Sequence, residues 1–274
     1  MKTKILYLLI TLLTVTSVTA QKRDQLAVPE TLPGNLELKD EIQTYKVTTI
    51  HYNGDMFGRF FNKQKVYGEY TRGLKGGMVK WNNVSFAQSN SMDRNAEFPE
   101  GTPIAYMENF TYLPNEEMIK PEKFETFTEY ADFTRNLVWD MLGIEGFAWA
   151  YWDKLKLNKP YLAKEGNGKV DLAGQGYFEN KDIQITYTGI SVYNGEPCAI
   201  IGYRTMNNPL EVRSESVDLK GRSHYWGNIW VSLEDKQIEH ATLLEDVMME
   251  LCLPGQTQKQ IMNATREITY EKVL

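Results

Sequence analysis

Histidine and cysteine are scarce: the chain has three of the first and two of the second in 274 residues. His51, His224 and His240 form no HExxH or HxH pattern and have no cysteine beside them, which leaves no recognisable zinc site. Cys198 and Cys252 have no CxxC neighbour and sit in apolar, strand-like surroundings. Two buried thiols, or one disulfide formed in an oxidising compartment, both fit those surroundings. The patterns GxSxG, SxxK, GxGxxG and the P-loop are absent, so the sequence marks no nucleophile and no nucleotide site. Carboxylates are plentiful, among them Asp140, Glu145, Glu239, Glu245 and Asp246, but no spacing singles out the facing pair a glycosidase needs. The sequence therefore predicts no catalytic residue, no metal ligand and no cofactor. Lysine and arginine form no block and the net charge is −6, which disfavours nucleic acid and anionic membrane surfaces as partners. Beyond Val18 no apolar run is long enough to cross a bilayer.

What is present begins with an address. Lys2 and Lys4 precede the apolar run Ile5 to Val18, and Val18-Thr19-Ala20 stands before Gln21. That is a basic region, a hydrophobic region and a small-residue cleavage site, the build of a secretory signal over residues 1–20. Gln21, where a lipoprotein would have cysteine, predicts an exported periplasmic or extracellular protein without a lipid anchor. Residues 21–41 are polar, contain Pro29 and Pro33, and read as an extended or disordered lead-in. One β-rich domain is expected over 42–274, with a helical insertion at 122–157.

The insertion carries a helical repeat. At about 100° per residue, Phe127, Tyr130, Ala131, Thr134, Leu137, Val138, Met141 and Leu142 fall on one stripe. Thr126 and Glu129 have capping-box spacing, and Gly143 follows the stripe as a C-terminal stop. A second, shorter helix is expected from about Glu145 to Leu157. Trp139 lies off the stripe, either as an edge residue packed under that second helix or as a ligand contact at a cavity mouth.

About eleven strands flank this pair. They run over 44–52, 57–70, 78–88, 104–112, 174–178, 182–193, 196–206, 210–219, 222–233, 237–251 and 259–273. Turns are expected at Asn53-Gly54, Asn194-Gly195, Lys220-Gly221, Glu234-Asp235-Lys236 and Pro254-Gly255. Short turns imply an antiparallel sheet. Strand twist implies that it curls, and the helical pair would cover its concave face as in a half-barrel.

The hairpin around Asp235 sorts its faces. Residues whose numbers sum to about 470 should oppose each other, which sets His240 against Trp230 and His224 near Asp246. Tyr225, Gly227, Ile229, Val231, Ala241 and Leu243 then share one side, suited to packing on a layer. Trp226, Asn228, Trp230, His240, Thr242 and Leu244 share the other, where bulky aromatics mix with polar tips. Such a mixture lines small-molecule sites and also closes large sheets. Trp139, Tyr203, Trp226, Trp230 and His240 form the candidate ligand-binding set.

The signal, the hairpin 183–206 and the run Arg222 to His240 together resemble Lol-type lipoprotein carriers and related exported half-barrels. In that run Ile229-Trp230-Val231 meets the turn and the chain returns. The resemblance covers the C-terminal third and departs from the family in placing the helices mid-chain. It implies an apolar groove able to take a lipid or acyl chain, and no functional residue carries over. The sequence therefore predicts a non-enzymatic binding protein for an apolar or amphipathic ligand held between sheet and helices. An envelope protein-interaction module and a glycan or envelope-polymer hydrolase stand as alternatives.

Overall fold

The computed structural model describes residues 28–213, 218–252 and 258–274. The signal, the start of the lead-in and the Pro254-Gly255 turn lie outside them. Strands β1 (Gln43–Asp55), β2 (Phe60–Leu74) and β3 (Met78–Ser89) form a meander, and the short β4 (Thr102–Pro103) and β5 (Phe110–Tyr112) both pair with β3. Helix α1 (Ala131–Trp149) follows, then β6 (Tyr161–Leu162), β7 (Gly168–Asp171), β8 (Gly176–Asn180), β9 (Gln184–Tyr193) and β10 (Glu196–Arg213). The last strands are β11 (Asp218–Ser232), β12 (Ile238–Cys252) and β13 (Gln260–Lys272). Along the sheet the order is β4-β3-β2-β1-β13-β12-β11-β10-β8-β7, with β9 also paired to β10. Pairing of β1 with β13, as in Val47 opposite Tyr270, joins the two meanders into one open antiparallel sheet. No helix among the described residues is long and apolar enough to cross a membrane.

The alternation of side chains sets an inner and an outer face. Tyr45, Val47 and Thr49 of β1, Ile268 and Tyr270 of β13, Ala241 of β12, Ile229 of β11 and Ile201 of β10 all point inward and are buried. Helix α1 lies on that face through Leu137, Val138, Met141, Ile144 and Ala148, all buried. Aromatics fill the rest: Tyr45 stacks on Tyr270 at 4.1 Å, and Trp81 meets Tyr70 at 5.0 Å while its Nε1 donates to the Tyr112 hydroxyl at 3.2 Å.

The helical pair is one helix. It starts at Ala131 after Tyr130, which sits at φ +60° with no side-chain cap, so the Thr126–Glu129 box goes unused. It runs through Gly143 and Gly146 to Trp149, and only a 3-10 turn, Trp152–Lys154, follows. A mid-helix glycine costs roughly 0.5–1 kcal/mol. Burying Ile144 and Ala148 beyond it outweighs that. A Cβ added at Gly143 or Gly146 meets nothing within 4 Å. Gly143→Ala and Gly146→Ala are each expected to raise stability by about 0.5–1 kcal/mol, read as an upward shift of the urea midpoint. A loss from either would mean that the glycine is needed for a close approach.

Candidate functional site

The seam between helix and sheet, where a groove was expected, is occupied by side chains. Phe147 packs on Tyr203 with centroids at 4.9 Å, and Phe133 meets His51 edge-on at 5.0 Å. Two ionic networks close the remainder. In the first, Arg266 donates from Nη1 to Asp140 Oδ2 and from Nε to Glu245 Oε2, both at 2.7 Å, and the Ser223 hydroxyl donates to Glu245 Oε1 at 2.5 Å. Burial pushes Asp140 up to about 6 although Arg266 pulls the other way. Burial, assisted by the Arg266 charge, pushes His51 down to about 3. In the second network Glu145 accepts from the Tyr70 hydroxyl at 3.0 Å and pairs with Arg72 Nε at 3.3 Å. Arg72 Nη1 donates to Gln237 Oε1 at 2.6 Å. Both carboxylate sets lie under the helix and carry arginine counter-charges, an arrangement that tethers α1 rather than presenting an acid and a base to a cleft.

A third charged group sits at the β9–β10 turn. Glu196, Asp235 and Glu239 bring ligand atoms within 4.8 Å of one another, close enough to share a cation. Lys272 pairs with Glu239 there, and Asn194 Nδ2 donates to Glu239 Oε2 at 3.3 Å, so the chain already supplies positive charge and a donor. Cys198 pairs with Ser232 and Cys252 with Asp218, at opposite ends of β11, far beyond disulfide reach.

Trp139 packs beside the segment that leads into α1, not under a second helix. Its Nε1 donates to the Met118 carbonyl at 2.9 Å and its ring meets Phe124 edge-on at 5.7 Å. Trp226, Trp230 and His240 share the outer face, in the register read from the Asp235 turn: Trp230 opposite His240, and His224 opposite Asp246. Trp230 donates to Ser191 Oγ at 3.1 Å, and His240 stacks on Tyr193 at 4.9 Å and 8°. Burial pushes His240 below the usual histidine range. These three rings pack on one another, while Trp226 stands apart, 40% exposed. Tyr203 is 3% exposed, its ring on the inner face.

Around Trp226 the outer face is open. On the β1–β2 side the chain after β3 folds over the sheet: Lys63 Nζ donates to the Arg94 carbonyl at 2.8 Å, and the Arg94 guanidinium lies 4.2 Å from the Tyr52 ring. Nothing equivalent covers β9, β10 and β11 among the described residues. There a trough of about 640 Å³ is lined by Gln184, Thr186, Thr188, Gly202, Tyr203, Arg204, Met206, Trp226, Gly227 and Asn228. Gly202, opposite both Thr186 and Asn228, gives it depth, since a Cβ there would stand 3.3 Å from Asn228 Oδ1. Met206, 53% exposed, sits at a bulge between Thr205 and Asn208, and Leu244, 39% exposed, stands opposite Trp226 on β12. The trough thus has an apolar end and a polar floor, and its volume is that of a small-molecule site. Alternation in the sequence placed Trp226 on the same face as Trp230 and His240, as the β11–β12 register has it. It missed Gly202, Thr186 and Asn228's partnership with them, because these come together only across two further strand pairings.

No family model matches the chain, and no curated protein matches it. Among solved structures it is similar to lipovitellin, in a structure described as showing lipid–protein interactions, with 10% identity and a TM-score of 0.44. That likeness covers 85% of this chain and 25% of the other, so the chain spans a quarter of lipovitellin's length. A DUF1329 family protein from Desulfovibrio piger ATCC 29098 matches at 9% identity and a TM-score of 0.15, over 84% of this chain and 85% of the other.

Proposed function

We propose that the protein is an exported, non-enzymatic binding protein that holds an amphipathic, acyl-chain-bearing ligand on the outer face of the sheet. The observation that carries this reading is the open trough beside Trp226, Met206 and Leu244 on a protein whose helix–sheet seam is filled. The seat therefore differs from the sheet–helix groove anticipated from sequence. Exposed apolar side chains rimmed by polar ones mark a place where something docks. Among the described residues no carboxylate, histidine or lysine lines the trough and Arg204 is its charged member, a lining that supports binding rather than turnover. Export rests on the leader Lys2 to Ala20 and would place the mature chain, from Gln21, in the periplasm or outside the cell.

The test is a titration with lauric acid, followed by tryptophan fluorescence and calorimetry. Trp226→Ala is expected to weaken binding by roughly 30-fold, about 2 kcal/mol, the size of an aromatic hot spot. Its melting temperature should hardly move, because the ring is 40% exposed. Binding that survives this change but is lost on substituting Phe147 would return the ligand to the helix–sheet seam.

A further inference from the structure

The trough carries one charge of its own. Arg204, exposed on the outer face of β10, stands directly opposite Trp226. Its Nε and Nη2 donate to Gln184 Oε1 at 3.0 and 2.8 Å. A carboxamide is neutral, so it cancels none of the guanidinium's charge and uses two of its five N–H donors. Two of the remaining donors are on Nη1 and one is on Nη2. Gln184 therefore holds the side edge of the guanidinium. The end edge, a planar fork that can give a carboxylate two parallel hydrogen bonds, stays free.

Elsewhere in the molecule such charge is spent. Arg59, Arg72, Arg94, Arg135, Arg213 and Arg266 each pair with a carboxylate. Among the described residues Arg204 and Arg222 are the arginines that do not. Arg222 shares the outer face of β11 with Trp226 but lies outside the trough, and its Nη1 donates to Asn207 Oδ1 at 2.8 Å.

The lining sorts the possible heads. A cationic head would meet the Arg204 charge with no carboxylate in the trough to offset it. A neutral head would leave that charge to water. An anionic head gains the free fork, and beside Gly202 the Asn228 carboxamide, which bonds no described residue, adds a further donor. One fork brings a single positive charge, which matches a carboxylate better than the near-double charge of a phosphate monoester. The apolar side chains Trp226, Leu244 and Met206 lie next to it, where a chain attached to that head would run.

Resting on the outer-face seat proposed above, we infer that the ligand is a single-chain carboxylate of fatty-acid type. Its head pairs with Nη1 and Nη2 of Arg204, and its chain lies along Trp226, Leu244 and Met206.

The experiment compares four amphiphiles with the same twelve-carbon tail, each below its micelle threshold, on the full mature chain by calorimetry. They are lauric acid, dodecyl phosphate, n-dodecyl β-maltoside and dodecyltrimethylammonium, all at neutral pH. Lauric acid is expected to bind at least about tenfold more tightly than the maltoside and the ammonium, and no more weakly than the phosphate. Arg204→Gln should abolish that preference while the maltoside's affinity and the melting temperature hold. Arg222→Gln removes an equal charge from the same face and should leave the preference in place. A second readout needs no variant: the preference should shrink as salt is raised. Equal affinity for all four heads, or a preference that salt leaves untouched or that Arg222→Gln reduces as much as Arg204→Gln, overturns the paired carboxylate. A tenfold preference for the phosphate overturns it as well. In each of these cases binding that still depends on Trp226 keeps the outer-face seat. No binding of any of the four, or binding indifferent to Trp226→Ala, overturns both.

Discussion

Arg266→Met is expected to lower the unfolding free energy by about 3–5 kcal/mol at neutral pH, the cost of leaving buried charge without its partner. Asp140 comes from the middle of α1 and Glu245 from β12, and Arg266 on β13 is the cation that both carboxylates touch. Methionine fills a similar space but leaves two carboxylates facing each other under the helix. The loss should depend on pH. Asp140 has its folded pKa raised to about 6 from 3.8. Between those values the folded state holds a proton that the unfolded state has released, so stability falls as pH rises through that window. Without Arg266 the folded value moves further up and the window widens. His51 works in the same sense in the comparison. Its folded pKa of about 3 lies below the ordinary 6.5, so the native protein loses stability as pH falls below 6.5. Removing the nearby guanidinium charge eases protonation of His51 and softens that acid loss. Urea titrations should therefore show a smaller deficit for Arg266→Met at pH 5 than at pH 8. A deficit equal at both pH values would mean that lost packing, and not unpaired charge, is responsible. The triple variant Arg266→Met, Asp140→Leu, Glu245→Leu should recover most of the stability, since no charge is then stranded.

The features readable from sequence are those fixed by local pattern. The Asn194-Gly195 turn forms with both residues at positive φ, +51° and +86°, as a type I′ turn requires. The β11–β12 register follows from a short turn between two alternating strands. Where a second local interaction competes, the same signals mislead. Asn53-Gly54 has turn chemistry but stays in β1, because Asp55 Oδ1 accepts from the amides of Phe57 and Arg59 and moves the turn two residues on. Gly221 also stays in its strand, opposite Leu210 and Met249. A Cβ there would fall 2.5 Å from the Met248 carbonyl, so the glycine serves close approach rather than reversal. As a result β10 runs on to Arg213, where two shorter strands were expected. Ile104 to Tyr112 was expected as one strand and is instead broken by the 3-10 turn Ala105–Met107 between β4 and β5. The added short strands bring the sheet from about eleven to thirteen. The ionic networks were illegible for another reason. Asp140 and Arg266 look like solvated surface charges until the sheet closes β13 between β1 and β12 and the helix is laid across it. The trough has the same dependence, since its floor belongs to three strands and its identifying residue is a glycine.

The second large effect is expected at the other tether. Arg72→Met should also cost about 3–5 kcal/mol, because it strands the buried Glu145 carboxylate. The arginine binds more than that carboxylate: it donates to Gln237 Oε1, lies 4.3 Å from the Trp149 ring, and through Gln237 Nε2 is linked to the Lys39 carbonyl at 2.6 Å. The damage should therefore be local as well as global. Amides of the C-terminal half of α1, from Gly143 onward, should gain a sub-global route to hydrogen exchange, while β12 and β13 still exchange only by full unfolding. In the unaltered chain the whole helix should exchange with the free energy of the sheet, since both tethers and the Phe147–Tyr203 contact hold it. This measurement also bears on where a ligand can sit. A helix that opens freely in the unaltered protein would behave as a lid and would admit an acyl chain to the seam beneath it. A helix protected to the global limit behaves as a fixed plug, which keeps the seam closed and favours the outer-face trough beside Trp226 as the seat.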